Sequence, residues 1–185
     1  RELSGSPGPR PCREESGVDG PGKVPKPLSG SEVLREIQEQ WLQVIAEGRP
    51  PMTRYGYVRR ERPNELAVYG RGMDALNKPE YQSVVTSIQF HFIAAEAVLR
   101  DMSRLLKFRG LSSLSFSSNQ IFSLGELDAL QQLPSLASLQ ITDNPICEVR
   151  SALRVGAIRL LPRLREFNGR EVSDTDRAAA VRLFE

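Results

Sequence analysis

An α/β solenoid, a coil of short parallel strands joined by helical returns, is the fold class that this 185-residue chain predicts, on three observations. The stretch Gly110–Ile121, GLSSLSFSSNQI, spaces its apolar residues Leu111, Leu114, Phe116 and Ile121 by 3, 2 and 5, with Asn119 before the last. The same LxxLxLxxNxI pattern returns 25 residues on, at Leu136, Leu139, Ile141, Asn144 and Ile146. Weaker copies start at 63, 85 and 164, so the five starts are separated by 22, 26, 25 and 28 residues. A period of roughly 20–29 residues with this spacing is a leucine-rich repeat.

The spacing dictates the architecture. A strand points its leucines to one side and the intervening residues to the other. The chain turns at the Asn, whose amide satisfies backbone groups, and neighbouring Asn residues stack into a ladder. No repeat buries its core alone, so stacking stabilises the set. The segment EAVLRDMSRLLKF, with Val98, Met102, Leu105 and Leu106, reads as a helical return. So does VRSALRVGAIRLL, and Asn144-Pro145 opens that last return. Open ends of an array invite association and need covers. Tyr55, Tyr57 and Val58, a Pro63-Asn64 turn, then Leu66, Val68 and Tyr69 predict an N-terminal β-hairpin cap. At the other end Ser173 and Asp176 form a capping box ahead of a helical cap with Val181, Leu183 and Phe184. The predicted repeat domain with its caps covers 54–185.

Ahead of it, Ser31 caps an amphipathic helix over 31–48, with Leu34, Ile37, Trp41, Val44 and Ile45 on one side. Gly48 and Pro50-Pro51 end it. Trp41 reads first as a packing residue; docking of the helix on a separate partner is the alternative. Residues 1–30, with six prolines and six glycines, read as a disordered linker. A composition 39% hydrophobic and 26% charged fits one folded domain with a polar tail. The net charge of +2 is too small to imply a polyanionic partner. Cys12 and Cys147 make no disulfide framework, which points to a reducing, intracellular compartment. No apolar run reaches the roughly 20 residues of a membrane span, and the N-terminus has no signal-peptide core.

No catalytic constellation emerges. His91, the single histidine, lies in FHF on a predicted strand with no acid, serine or cysteine placed beside it. One His and two distant Cys give no metal-ligand spacing, and Gly70-Arg71-Gly72 lacks the rest of a phosphate loop. No cofactor, metal or small-molecule substrate is therefore expected. The face opposite the leucines is the candidate partner surface. It comprises Gln89, His91 and Phe92, then Ser113, Ser115 and Ser117, then Gln140 and Thr142. Phe92 is its best anchor, because short polar side chains contribute little affinity. Arg54, Arg59, Arg60 and Arg62 interleave with Tyr55 and Tyr57 as a basic patch diluted by Glu61 and Glu65. A solvated hairpin face is the simpler reading and nucleic acid is disfavoured. Arg150, Arg154, Arg159, Arg163 and Arg165 form a second basic cluster.

The tail LPRLREFNGREVSDTDRAAAVRLF resembles the C-terminal cap of SDS22-like leucine-rich repeat proteins at Leu161, Leu164, Phe167, Asn168, Gly169, Val172 and Ser173. With LAVYGRGMDAL, VVTSIQFHFI and LGELDALQQL in this order, residues 55–185 are similar to a particular array. It is the second repeat domain in the family of leucine-rich repeat subunits of tubulin polyglutamylase complexes. That resemblance implies a fragment of a longer chain and a non-catalytic scaffold for protein–protein interaction. Its implied partners are protein subunits of a tubulin-modifying complex, with tubulin itself a further candidate. The implied location is cytoplasmic, at the cytoskeleton, centrosome or ciliary base. Asn119 and Asn144 are cleaner than that domain leads one to expect. The alternative is an SDS22-like regulatory adaptor of a phosphatase or ribonucleoprotein.

Overall fold

The computed structural model describes residues 28–47 and 55–182. Its strands are β1 (Gly56–Arg62), β2 (Glu65–Gly70), β3 (Ser87–His91), β4 (Ser113–Ser117), β5 (Ser138–Thr142), β6 (Glu166–Phe167) and β7 (Arg170–Glu171). They form one sheet in chain order. β2 to β6 are parallel, and antiparallel partners β1 and β7 close the two ends. The register is set by the repeat. Leu66, Ile88, Leu114 and Leu139 form one inward row, and Val68, Phe90, Phe116 and Ile141 the next. All eight are at most 1% exposed. The Phe90 and Phe116 rings stack 5.4 Å apart within the second row. The fold is the capped leucine-rich repeat solenoid that the spacing predicts.

Every turn of the coil leaves its strand through the same backbone state. Gly70, Phe92, Ser118, Asp143 and Asn168 all have φ between 49° and 56°. The Asn ladder follows immediately. Asn144 Oδ1 accepts from the N–H groups of Asn119 (2.9 Å) and Ile121 (3.1 Å), while its Nδ2 donates to the carbonyls of Phe116 and Thr142. Asn119 Nδ2 donates to the Ile93 carbonyl, and Asn168 Oδ1 accepts from the Ile141 N–H. Asn119 and Asn144 are the buried polar residues of the fold among those described. The repeats of β4, β5 and β6 are thus each bonded to the one before by side chain as well as by strand.

Of the two predicted helical returns, the last forms as predicted and the first is broken. EAVLRDMSRLLKF folds as two short helices, α3 (Ala95–Leu99) and α4 (Ser103–Leu106), after a single turn α2 (Pro79–Gln82) earlier in the chain. A 13-residue straight helix would run about 20 Å along one axis. The break instead lets Val98, Leu99, Met102 and Leu105 all reach the core and leaves Leu106 exposed. The next return is a 3₁₀ segment, Leu124–Gln132, started by a reciprocal Ser123–Glu126 capping box. The last is a 3₁₀ turn, Pro145–Val149, leading into helix α5 (Arg150–Leu160). Gly156 lies inside α5 because a Cβ there would collide with the Leu124 side chain of the preceding return.

Both predicted caps are present. Pro63-Asn64 joins β1 to β2, and Asn168-Gly169, with φ of 49° and 73°, joins β6 to β7. Ser173 and Asp176 make the capping box of helix α6 (Asp174–Arg182): the Ser173 N–H donates to the Asp176 carboxylate, and the Asp176 N–H to Ser173 Oγ. Asp176 also pairs with Arg154 at 2.7 Å, and that guanidinium holds its carboxyl well below the usual range. Ala180 is buried under α6, whereas Val181 is exposed. The N-terminal helix, α1, runs Gly30–Ala46, and its N-cap is Ser29 rather than Ser31. The reason is Glu32, three residues after Ser29, which accepts from the Ser29 N–H while Ser29 Oγ accepts from the Glu32 N–H. The linker prediction through residue 27, the stop at 48–51, and Arg54, Leu183 and Phe184 fall outside the described residues.

Replacing Asn144 with Ala removes four hydrogen bonds and strands two buried N–H groups. A loss of about 2–4 kcal/mol is expected, read as a lower urea midpoint at unchanged slope. A loss under about 0.5 kcal/mol, the size of an ordinary surface change, would refute the ladder's role.

Candidate functional site: a half-covered sheet face

Side chains between the leucines point away from the core and form the concave face in three rows. One row runs Arg59, Ala67, Gln89, Ser115, Gln140, and another Tyr57, Tyr69, His91, Ser117, Thr142. The third runs Glu65, Ser87, Ser113, Ser138, Glu166, and Ser138 Oγ donates to the Glu166 carboxylate. Composition changes along these rows. Over β1–β3 they include the rings of Tyr57, Tyr69 and His91 beside Arg59, Glu65, Ala67, Ser87 and Gln89; over β4 and β5 they are Ser, Gln and Thr.

The bulky half is covered by α1. Ala67 is fully buried although it points away from the main core, and so are Ile37 and Trp41 of α1, which lie outside that core as well. Gly30 approaches the Tyr57 ring, and the Trp41 ring meets Phe92 edge-on at 6.3 Å. The helix therefore lies across β1–β3, and the packing reading of Trp41 holds within the chain. Leu34 is half-buried, while Leu42 and Ile45 face outward, so Ile45 is not part of the docked stripe. A fully buried aliphatic side chain contributes about 1.5–3 kcal/mol. An attachment resting chiefly on Ile37 and Trp41 is thus small beside the main core. The indole N–H of Trp41 is buried with no hydrogen-bond partner among the described residues.

Under α1 the rings form a short stack. Tyr57 and Tyr69 are tilted at 5.9 Å, and Tyr69 and His91 lie nearly parallel at 4.6 Å. Burial pushes the His91 imidazole below its ordinary value of 6.5; Arg59 acts in the same direction and Glu61 against it. Its polar contact is Gln89, at 3.4 Å, so it has the surroundings of a packed ring. Phe92, half-buried, has φ of 56°, a backbone state that costs a bulky side chain roughly 1–2 kcal/mol. At the equivalent point in the register the other turns carry Gly70, Ser118 and Asp143, which are smaller. Sequence reasoning placed Phe92 on this face but not its partner; a bulky ring at a repeated left-handed position was the available signal.

The open half presents Ser113, Ser115, Ser117 and Thr142 half-exposed and Gln140 exposed. At the strand ends it leads past Thr142 into a groove of about 680 Å3 lined by Ile141, Leu153, Phe167, Arg154 and Arg170. Two arginines of the basic patch have acidic partners. Arg59 pairs with Glu61, Arg62 with Glu65 at 3.3 Å, and Arg60 donates to the Pro63 carbonyl. Arg54 lies outside the described residues. In the second cluster, Arg154 is inward, donating to Asp176 and to the Glu171 carbonyl. Among the described residues no group of three or more His, Cys, Asp or Glu side chains could hold a metal ion, and no helix is long and apolar enough to cross a membrane.

No protein-family model matches this chain. Among curated proteins, it is 27% identical over 122 residues to an uncharacterized Caenorhabditis elegans protein, F09G8.5, covering 65% of this chain and 26% of that one. It is 33% identical over 75 residues to U2 small nuclear ribonucleoprotein A' of Emericella nidulans, covering 40% of this chain and 32% of that one. The chain thus spans about a quarter to a third of these relatives' length. Among solved structures, the Chaetomium Mex67:Mtr2 subunits match with TM-score 0.43 and 17% identity, over 60% of this chain and 74% of that one. The Drosophila melanogaster SNF/U2A' complex matches with TM-score 0.44 and 15% identity, over 71% of this chain and 87% of that one.

The packed His91 generates a pH dependence. Because its folded value lies below 6.5, the stability of its neutral form is complete above that pH and is lost as pH falls through 6.5 toward the folded value. The urea midpoint should drop between about pH 7.5 and 5.5, and His91→Gln should flatten the drop. Equal slopes for the two proteins would show that His91 titrates as if unfolded.

Proposed function

We propose that this chain is a non-catalytic protein-interaction adaptor that docks a partner on the open half of its sheet face. One observation carries the reading: rigid, paired strands β4 and β5 hold a smooth face of Ser113, Ser115, Ser117, Gln140 and Thr142 open, while the other half is covered. Such a face has little side-chain bulk, so a partner's backbone can approach closely, and bulkier neighbours around it supply grip. Aligned as it is, the sheet needs no ordering on binding, which favours a preorganised docking surface over a flexible one.

The setting we propose is a scaffold subunit of a tubulin-modifying assembly at the cytoskeleton, centrosome or ciliary base. Its support is the motif resemblance of residues 55–185, and its partners would be the assembly's protein subunits, with tubulin as a further candidate. A second reading is an adaptor within a ribonucleoprotein. The observation favouring it is the 33% identity to U2 small nuclear ribonucleoprotein A' over 75 residues.

Affinity capture of the chain, with tubulin-modifying subunits and ribonucleoprotein subunits scored separately, decides between the settings. Recovery of ribonucleoprotein subunits alone would sink the first. Ser115→Arg with Ser117→Arg should weaken capture about tenfold or more while shifting stability by no more than about 0.5 kcal/mol per site. Undiminished capture by that variant would place the partner elsewhere and overturn the docking face.

A further inference from the structure

We propose that the covered half of the face is a latent helix-binding site, held by α1 in cis and open to a competing amphipathic helix in trans. The competitor would carry an aliphatic and an aromatic anchor four residues apart, as Ile37 and Trp41 are. This extends the adaptor reading to the other half of the face, and its test does not involve the partner of the open half.

Three observations support it. The occupant is an amphipathic helix already, with Ile37 and Trp41 buried, Gly30 beside the Tyr57 ring and Trp41 edge-on to Phe92. The fit in cis is incomplete: the Trp41 indole N–H is buried without a partner among the described residues, and Leu42 and Ile45 of the same helix are 58% and 42% exposed. Phe92 is the third. It holds a left-handed backbone state that the exits of β2, β4 and β5 assign to Gly70, Ser118 and Asp143, and its ring lies edge-on to Trp41. A ring retained at a strained position, with both of its aromatic neighbours, Trp41 and His91, on the covered half, marks that half as what the residue serves. The aromatic stack of Tyr57, Tyr69 and His91 then supplies the residue types that dominate binding energy, and the open serine half lacks them. A tethered helix acts at an effective concentration of the order of millimolar, which a competitor must overcome. Release of α1 and capture of a partner helix are thereby linked events.

The test uses a fluorescein-labelled peptide of residues 28–47 as the probe, titrated against the full chain by anisotropy. The peptide should bind Ile37→Asp, whose own helix is undocked, at least about tenfold more tightly than the wild-type chain. Adding Phe92→Asn to Ile37→Asp relieves the turn yet removes the ring, and should abolish binding while circular dichroism stays unchanged. Equal binding to wild type and Ile37→Asp, no binding to a folded Ile37→Asp, or indifference to Phe92→Asn would each overturn the proposal. Unfolding of the repeats in Ile37→Asp would also overturn it, because a helix the fold cannot do without is not exchangeable. So would a concentration-dependent dimer of the wild-type chain in sedimentation, which would assign the site to helix exchange between copies.

Discussion

The structure depends on one constraint: each parallel strand must be left through a left-handed turn, and toward the C-terminal end an Asn at or just after that turn must bond to the repeat before it. Gly70, Phe92, Ser118, Asp143 and Asn168 hold the turns, and Asn119, Asn144 and Asn168 make the bonds. If one turn opened differently, the strand after it would lose its parallel register, and the leucine rows could not align. The inward rows from Leu66 to Leu139 and from Val68 to Ile141 are consequences of that shared exit. So is the outward alternation that builds the functional face.

That alternation makes the two sides of one sheet chemically independent. The core side is uniform along the coil, because each repeat must stack on the last. The other side is under no such demand, and its composition changes abruptly between β3 and β4. Aromatic positions on β1–β3 gain a small second core by accepting α1, with Ala67, Ile37 and Trp41 buried on the side away from the leucines. Serine positions on β4 and β5 stay open. One scaffold thus carries a face covered by α1 and a face left open.

How much of this was legible in the sequence follows from range. The strands, the Asn turns, the hairpin and the Ser173–Asp176 cap depend on contacts repeated at one spacing or made within a few residues, and the pattern exposed them. The N-cap of α1 was displaced by two residues, because Ser29 and Ser31 are equivalent until the reach of Glu32 is considered. The break between α3 and α4 was hidden, since apolar spacing alone does not distinguish a straight helix from two short ones that wrap a curved core. Phe92 was placed on the correct face, but its pairing with Trp41 joins residues 51 positions apart, and no periodicity encodes such a contact. The dilution of the basic patch by Glu61 and Glu65 was legible as composition, and in space these two pair with Arg59 and Arg62.

The central claim is that α1 closes over the aromatic half of the face. Trp41 is the only tryptophan of the chain, so its fluorescence reports that contact without labelling. Acrylamide quenching of the native protein should have a slope several-fold lower than that of the urea-unfolded chain, in keeping with an indole that is 1% exposed. A native slope equal to the unfolded one would mean that the helix does not rest on the sheet, and the division of the face into a covered and an open half would fall with it.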